Sequence, residues 1–285
     1  MKFGSYTFKV QLPFVFVSPH PILHELSVDI CTGLQGEILP KNMLVFVFCG
    51  GHKKFIGSSW LPGKKLVLQT EQLCDDDGKI LWGAKKPGVI RNIRENIFSC
   101  DIFLDINENN RNFYGTLKLS YTEESKIFFG PHIFPKRPVL LAEAENNYLC
   151  FFGNVNGRRN AILKRYYQKT GCEIRVVPEK TYGRDLKKII KKSSGILNIH
   201  YEESTYTEAP RLLAAYLLGK PIISEKLGSP FEKNVHYIGL CDSAGGHFGY
   251  AFQNFSELVS SKLSFIDFVN EHIFQSRNIS VYEDE

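Results

Sequence analysis

Three features of the 285-residue chain point to an α/β protein built as two domains. Short apolar runs of four to six residues alternate with amphipathic stretches of helical period, the pattern of parallel strands joined by crossover helices. The rhythm breaks at Pro131–Pro138, which holds three prolines, and then restarts, so a linker lies there. The length suits two domains, since one commonly takes about 100–200 residues.

Each element can be justified in order. Leu12–Val17 reads as a strand, Pro19-His20-Pro21 as a turn and Ile22–Leu34 as a helix. Leu44–Cys49 is a strand closing at Gly50-Gly51-His52, and Lys65–Leu68 another, closing in Gln69–Gln72. Val89–Phe98 is helical, Ile102–Ile106 is a strand ending at Asn107–Asn110, and Lys126–Phe129 runs into Gly130-Pro131-His132. Beyond the linker come strand Tyr148–Phe152, helix Arg158–Thr170, strand Glu173–Val177, helix Leu186–Lys192 and strand Ile196–Ile199. Glu208 opens a helix on which Leu212, Leu213, Tyr216 and Leu217 share a face; Gly219 stops it before strand Ile222-Ile223. Phe255–Phe274 reads as a final helix able to pack back on the first half, and Ser280–Glu285 as a frayed acidic tail. The expected architecture is two Rossmann-like domains, 1–135 and 136–285, facing across a cleft.

Composition excludes several classes. A charged content of 23% and a hydrophobic content of 43% are those of a globular protein. No apolar run approaches the roughly 20 residues needed to span a bilayer, and Pro13 interrupts the only N-terminal stretch that resembles a leader. Seven scattered cysteines without a C-x-x-C pair fit free thiols in a reducing cytoplasm, not a disulfide framework or a zinc site. Asp75-Asp76-Asp77 runs into Gly78-Lys79 and reads as a turn rather than a metal site. The net charge of +5 permits an anionic partner. Arg184, Lys187, Lys188, Lys191 and Lys192 line one face of a helix; such a stripe is either a solvated surface or a contact for anionic lipid or nucleic acid.

The most informative stretch is Gly195–Glu225. It reads strand, polar loop, helix, turn, strand, with Glu208 just past the carboxyl end of a strand, where open α/β sheets bind ligands. A carboxylate there can accept hydrogen bonds from the paired hydroxyls of a ribose; it also complements a helix dipole. Upstream, Leu149–Arg159 reads as strand, Gly153 loop and helix start, an arrangement that presents backbone N–H groups, Arg158 and Arg159 to a diphosphate.

Tyr206-Thr207-Glu208-Ala209-Pro210-Arg211 with Gly219–Ser224 resembles the donor-binding segment of GT-B glycosyltransferases, and Leu149–Arg159 resembles the opening of the same domain. More closely, the chain resembles small bacterial and viral glycosyltransferase-like proteins that carry the pattern LN-hydrophobe-HY…ExxR…GxP-hydrophobe-hydrophobe-SE, from about Tyr148 to Glu225. The resemblance implies a GT-B fold and metal-independent transfer of a sugar from a nucleotide-sugar, with no other cofactor. It implies a donor site made from Gly153, Asn154, Arg158, Arg159, His200, Tyr201, Thr207, Glu208, Arg211 and Glu225, with Glu208 on the ribose. Many retaining members carry a glutamate where this chain has His200, which leaves the stereochemistry open. The acceptor is a saccharide, a lipid-linked glycan or a base in DNA. An inverting enzyme needs a base in the first half, for which His20, His52, Glu71 and His132 are the candidates at strand ends or turns. Two other classes stay open: a non-catalytic nucleic-acid-binding protein, and a degenerate glycosyltransferase fold that serves as a scaffold.

Overall fold

The computed structural model describes residues 2–3, 6–40, 43–55, 60–81, 88–242 and 247–275. The chain is a mixed α/β protein with two sheets. It divides into two compact units, Met1–Cys74 with Gly78–Lys136 and Ser260–Glu285, and Asp75–Asp77 with Arg137–Val259. The C-terminal segment therefore belongs with the first unit.

The first unit holds a seven-stranded sheet whose spatial order is its sequence order. It runs β1 (Lys2–Phe3), β2 (Tyr6–Gln11), β3 (Phe14–Ser18), β4 (Val45–Cys49), β5 (Lys64–Gln69), β6 (Ile102–Asp105) and β7 (Ile127–Phe129). β3 to β7 are parallel, and β1 and β2 add antiparallel strands at one edge. β2 is half-exposed, which is why its sequence carries no apolar run and went unread as a strand. The predicted strand Leu12–Val17 starts two residues later, because Leu12-Pro13 forms the turn between β2 and β3.

Helix α1 (Pro21–Gly33) joins β3 to β4, and α2 (Val89–Ser99) joins β5 to β6. Short helices α3 (Arg111–Tyr114) and α4 (Tyr121–Glu124) follow β6. One face of the sheet buries Val17, Phe48, Val67 and Phe103 against Ile93 and Ile97 of α2 and Phe113 of α3. The opposite face presents Phe14 and Phe16 to Phe265 at ring-centroid distances of 5.4 and 6.1 Å.

Unit 2 holds a five-stranded sheet, wholly parallel: β8 (Leu149–Phe151), β9 (Ile174–Val176), β10 (Gly195–Asn198), β11 (Ile222–Ser224) and β12 (Ile238–Gly239). Its order is β12-β11-β10-β8-β9. The chain steps outward from β8 to β9 and then returns past β8 to β10, so the order reverses between β8 and β10. Helices are α5 (Gly157–Thr170), α6 (Gly183–Lys192), α7 (Ala209–Leu217) and α8 (Phe248–Lys262). Leu149, Phe151, Leu197, Ile223 and Ile238 form one apolar face, packed on Leu163 and Tyr166 of α5 and Ala251 of α8. Such alternation of strand residues between two faces is the side-chain geometry of a sheet covered on both sides.

The expected closing helix, Phe255–Phe274, is interrupted. α8 ends at Lys262, and Ser264 caps α9 (Phe265–Val269) by accepting a hydrogen bond from the Asp267 N–H at 3.3 Å; a π-helical turn, Asn270–Phe274, follows. A serine able to satisfy an orphan helix N–H is the physical cause of that break. The predicted tail Ser280–Glu285 lies outside the described residues. Asp75–Asp77 is a turn, closed by the Cys74–Ile80 bridge.

Candidate functional site

The reversal between β8 and β10 puts three loops of the second unit side by side at the carboxyl ends of their strands. The first follows β8. Gly153 there has φ +128°, a region that L side chains rarely adopt, and a Cβ on it would lie 2.8 Å from Arg211 Nη2 and 3.4 Å from Arg159 Nη1. Only glycine lets the backbone bend this closely past two guanidinium groups. Asn156 caps α5: its Oδ1 accepts from the Arg159 N–H at 2.8 Å, and its Nδ2 donates to the Tyr201 carbonyl at 2.8 Å. One side chain thus starts the helix and ties the loop after β8 to the loop after β10.

Glu208 lies at the centre. The helix predicted to open on Glu208 begins at Ala209, and Glu208 is its N-cap, in a left-handed conformation with φ 39° and ψ 45°. A non-glycine residue held there stores about 1–3 kcal/mol of strain, which the surroundings must offset. They do so electrostatically. Glu208 Oε1 accepts from Arg159 Nη2 at 2.7 Å, and Oε2 pairs with Arg211 Nη2 at 2.6 Å. The three side chains are only 12%, 4% and 8% exposed.

The rest of each guanidinium is directed by backbone and side-chain oxygens. Arg159 Nε donates to the Ile199 carbonyl at 2.9 Å and Nη1 to the Asn154 carbonyl at 2.8 Å. Arg211 Nη1 donates to Asn198 Oδ1 at 2.6 Å. Both guanidiniums lie 5.6 Å from the centroid of the Phe151 ring, and Arg159 also lies 5.4 Å from that of Tyr201, which is 44% exposed. Burial lowers the pKa of Arg159, against the opposing pull of Glu208, and its guanidinium remains charged at neutral pH.

A second pair braces the third loop. Arg158 grips Glu225 in bidentate fashion, with Nη1 at 3.0 Å from Oε2 and Nη2 on Oε1, and Nη1 also donates to the His200 carbonyl at 2.8 Å. Glu225 accepts as well from the His200 backbone N–H at 2.7 Å. Burial pushes the Glu225 carboxyl up, but the bonds from Arg158 and His200 outweigh it and leave it below the usual range. His200 itself is buried, and its pKa is lowered, mainly by that burial. Thr207 is buried in the loop just before Glu208.

The structure therefore gathers Gly153, Asn154, Arg158, Arg159, His200, Tyr201, Glu208, Arg211 and Glu225 at the carboxyl ends of β8, β10 and β11. Arg158 and Arg159, expected to face a diphosphate, are each paired with a carboxylate, Glu225 and Glu208, as a guanidinium withdrawn from water requires. Asn198 was missed. It holds Arg211 and donates to Ser224 Oγ at 2.9 Å, so it links β10 to β11 under the cluster. Its signal was a polar residue inside an otherwise apolar strand.

In the first unit the candidate bases do not converge. His20, His52, Glu71 and His132 follow β3, β4, β5 and β7, each at the carboxyl end. Four strand steps separate β3 from β7, about 19 Å at the usual spacing. His20 is the N-cap of α1, its Nδ1 accepting from the Ile22 N–H at 3.3 Å. His52 is buried, and its carbonyl accepts from Asn92 Nδ2 at 3.2 Å. Glu71 offers its backbone carbonyl to Gln69 and Asn110. His132 stacks on Phe268 with ring centroids 5.1 Å apart, and burial lowers its pKa.

Sequence reading passed over Asp105 at the end of β6. Its carboxylate is fully buried and accepts from Tyr114 Oη at 2.6 Å, Asn110 Nδ2 at 2.9 Å and the Asn107 N–H at 2.9 Å, while burial pushes its pKa up to about 7. An acidic residue closing an apolar strand was the available signal. Among the described residues, no group of three or more His, Cys, Asp or Glu side chains is placed to hold a metal ion, and no helix is long and apolar enough to cross a membrane. No family model matches the chain, and no curated protein matches it.

Proposed function

We propose that the chain is a glycosyltransferase of the GT-B type, whose second unit is a Rossmann-like domain that binds a nucleotide-sugar. One observation carries the reading: Glu208, Arg159 and Arg211 meet beside Gly153 at the point where the strand order reverses, the place where open α/β sheets bind nucleotides. Each carboxylate oxygen of Glu208 accepts one N–H from an arginine and has capacity for another donor, such as a ribose hydroxyl. The exposed backbone at Gly153–Val155 and the start of α5 supply N–H groups for a diphosphate, with Tyr201 as a stacking face. Three arginines against two glutamates leave a local charge of +1 for an anion to neutralise. Negative charge building on the leaving diphosphate is then stabilised without a metal. The acceptor is a saccharide, a lipid-linked glycan or a base in DNA. Seven free thiols agree with work in the cytoplasm.

The test is a thermal-shift and calorimetry panel of UDP-, GDP-, ADP-, dTDP- and CMP-sugars. At least one is expected to raise Tm, by about 2.7 kcal/mol of linkage at a hundredfold excess over Kd. Silence across the panel would contradict the reading.

A second reading has its own support. Residues 157–192 carry twelve basic and three acidic residues, +9 in a chain whose net charge is +5. The charge includes Arg184, Lys188, Lys191 and Lys192, exposed on α6, with Lys187 beside them. Such concentration suits a polyanion, either an anionic membrane or nucleic acid, as acceptor or as the partner of a non-catalytic protein or scaffold. Duplex DNA and phosphatidylserine vesicles, each titrated over a salt series, separate these cases. A steep negative slope of log K on log salt is expected for the true partner and a flat response for the other.

A further inference from the structure

We propose that His200 Nε2 is a ligand-contacting acceptor that takes a hydrogen bond from a hydroxyl of the sugar carried by the nucleotide, not of its ribose, which makes this site selective for a polyol rather than for a bare phosphate. The inference rests on the donor-site reading of the same loops.

Its basis is a fixed tautomer. His200 Nδ1 lies 2.8 Å from the Ser204 carbonyl oxygen. A carbonyl can only accept, so Nδ1 carries the proton, and Nε2 of the neutral ring is left as a bare lone pair. Nε2 is buried, on a residue 1% exposed, and no group among the described residues donates to it. Buried acceptors are normally satisfied, so one on the loop that follows β10 needs an explanation. Nearby, Arg211 Nε is a buried donor with no acceptor among the described residues. A hydroxyl both donates and accepts, and so suits a site offering one bare acceptor and one bare donor. Ionised phosphate oxygens only accept and cannot satisfy Nε2; an ammonium only donates and is repelled by Arg211.

The surroundings keep the ring neutral. Glu208 and Glu225 favour its protonation, while burial, the dominant influence, and Arg211 oppose it; the pKa is lowered on balance. Arg158 and Arg159 neutralise the two carboxylates, and Tyr206 packs edge-on at 6.0 Å. Protonation of Nε2 would turn the acceptor into a donor and abolish the contact.

Calorimetry of the whole protein with the nucleotide-sugar panel and the matching nucleoside diphosphates, from pH 5 to 8, tests this. The variant is His200→Asn, whose amide can still donate to the Ser204 carbonyl but has nothing at the Nε2 position. Wild-type affinity for the nucleotide-sugar is expected to hold above pH 6.5 and to fall as pH drops through the lowered pKa. At pH 7.5 His200→Asn is expected to weaken the nucleotide-sugar about tenfold, to leave the diphosphate unchanged and to flatten the pH profile. Equal loss for both ligands, or for neither, overturns the inference and leaves the donor site standing. A nitrogen-15 spectrum of histidine-labelled wild type, read with and without the nucleotide-sugar panel and with free glucose, needs no variant. A shift of the His200 Nε2 resonance with glucose, while every nucleotide-sugar fails to bind, supports the hydroxyl contact and sinks the donor reading. No shift with any of these ligands overturns both.

Discussion

Both sheets are built mainly of parallel strands, and they differ in winding. In the first unit the order β1 to β7 never reverses, so each carboxyl-end loop is flanked only by its neighbours in sequence. Four candidate bases stand on that edge, strung out over about 19 Å. In the second unit the order reverses between β8 and β10, and residues from Gly153 to Glu225 meet within hydrogen-bond reach. Strand order, more than the residues available, decides whether polar side chains at strand ends become a site.

That contrast can be broken or sharpened by measurement. The largest effect is expected from Glu208→Ala, which leaves two nearly buried guanidiniums without their carboxylate and should cost about 3–5 kcal/mol in denaturant unfolding. Replacing Arg159, Glu208 and Arg211 together by apolar residues of similar volume should recover most of that stability while abolishing ligand binding. Glu225→Gln comes next, at roughly 2 kcal/mol, because it removes a half-buried bidentate bond that is also braced by the His200 N–H. Gly153→Ala should cost about 1–2 kcal/mol through its positive φ and its clash with Arg211. Smallest is the coupling in a double-mutant cycle between His20 and His132, expected within about 0.5 kcal/mol of zero, whereas the Arg159–Arg211 cycle should exceed it through their shared carboxylate. A large His20–His132 coupling would show that the first unit gathers a site after all.

The units should also differ in acid and base. The folded pKa of Asp105, about 7, lies above the ordinary 3.8, so the folded chain keeps a proton that the unfolded chain has released. Its contribution to stability is complete below about pH 4 and is lost as pH rises through about 7. His200 acts in the other direction. Its folded pKa lies below 6.5, so its contribution is present above that value and lost as pH falls through the folded one. Unfolding followed at pH 5 and pH 8 should therefore lose a pH-dependent component in Asp105→Asn and a component of opposite sign in His200→Asn.

Much of this was legible in the chain. Apolar runs marked nine of the twelve strands or their immediate neighbourhoods, because buried parallel strands bury both faces. The half-exposed β2 and the two-residue β1 and β12 have no such signature. Spacing nominated Glu208, Arg158 and Arg159, but not their pairing, since Arg159 and Glu208 are 49 residues apart and only the reversal of strand order brings them together. Asn198 and Asp105 were visible as polar residues in apolar runs, yet their roles depend on partners supplied by other elements. The break at Ser264 was overlooked because the apolar period continues through it.

Hydrogen–deuterium exchange of the full chain, with and without each nucleotide-sugar of the panel, tests the central claim most directly. At least one ligand should slow exchange in residues 152–158, 199–208 and 224–226, with the largest protection around Gly153 and His200 and little change at residues 20, 52, 71 and 132. Unchanged exchange with every ligand, or protection confined to the first sheet, would contradict the placement of the site at the reversal between β8 and β10.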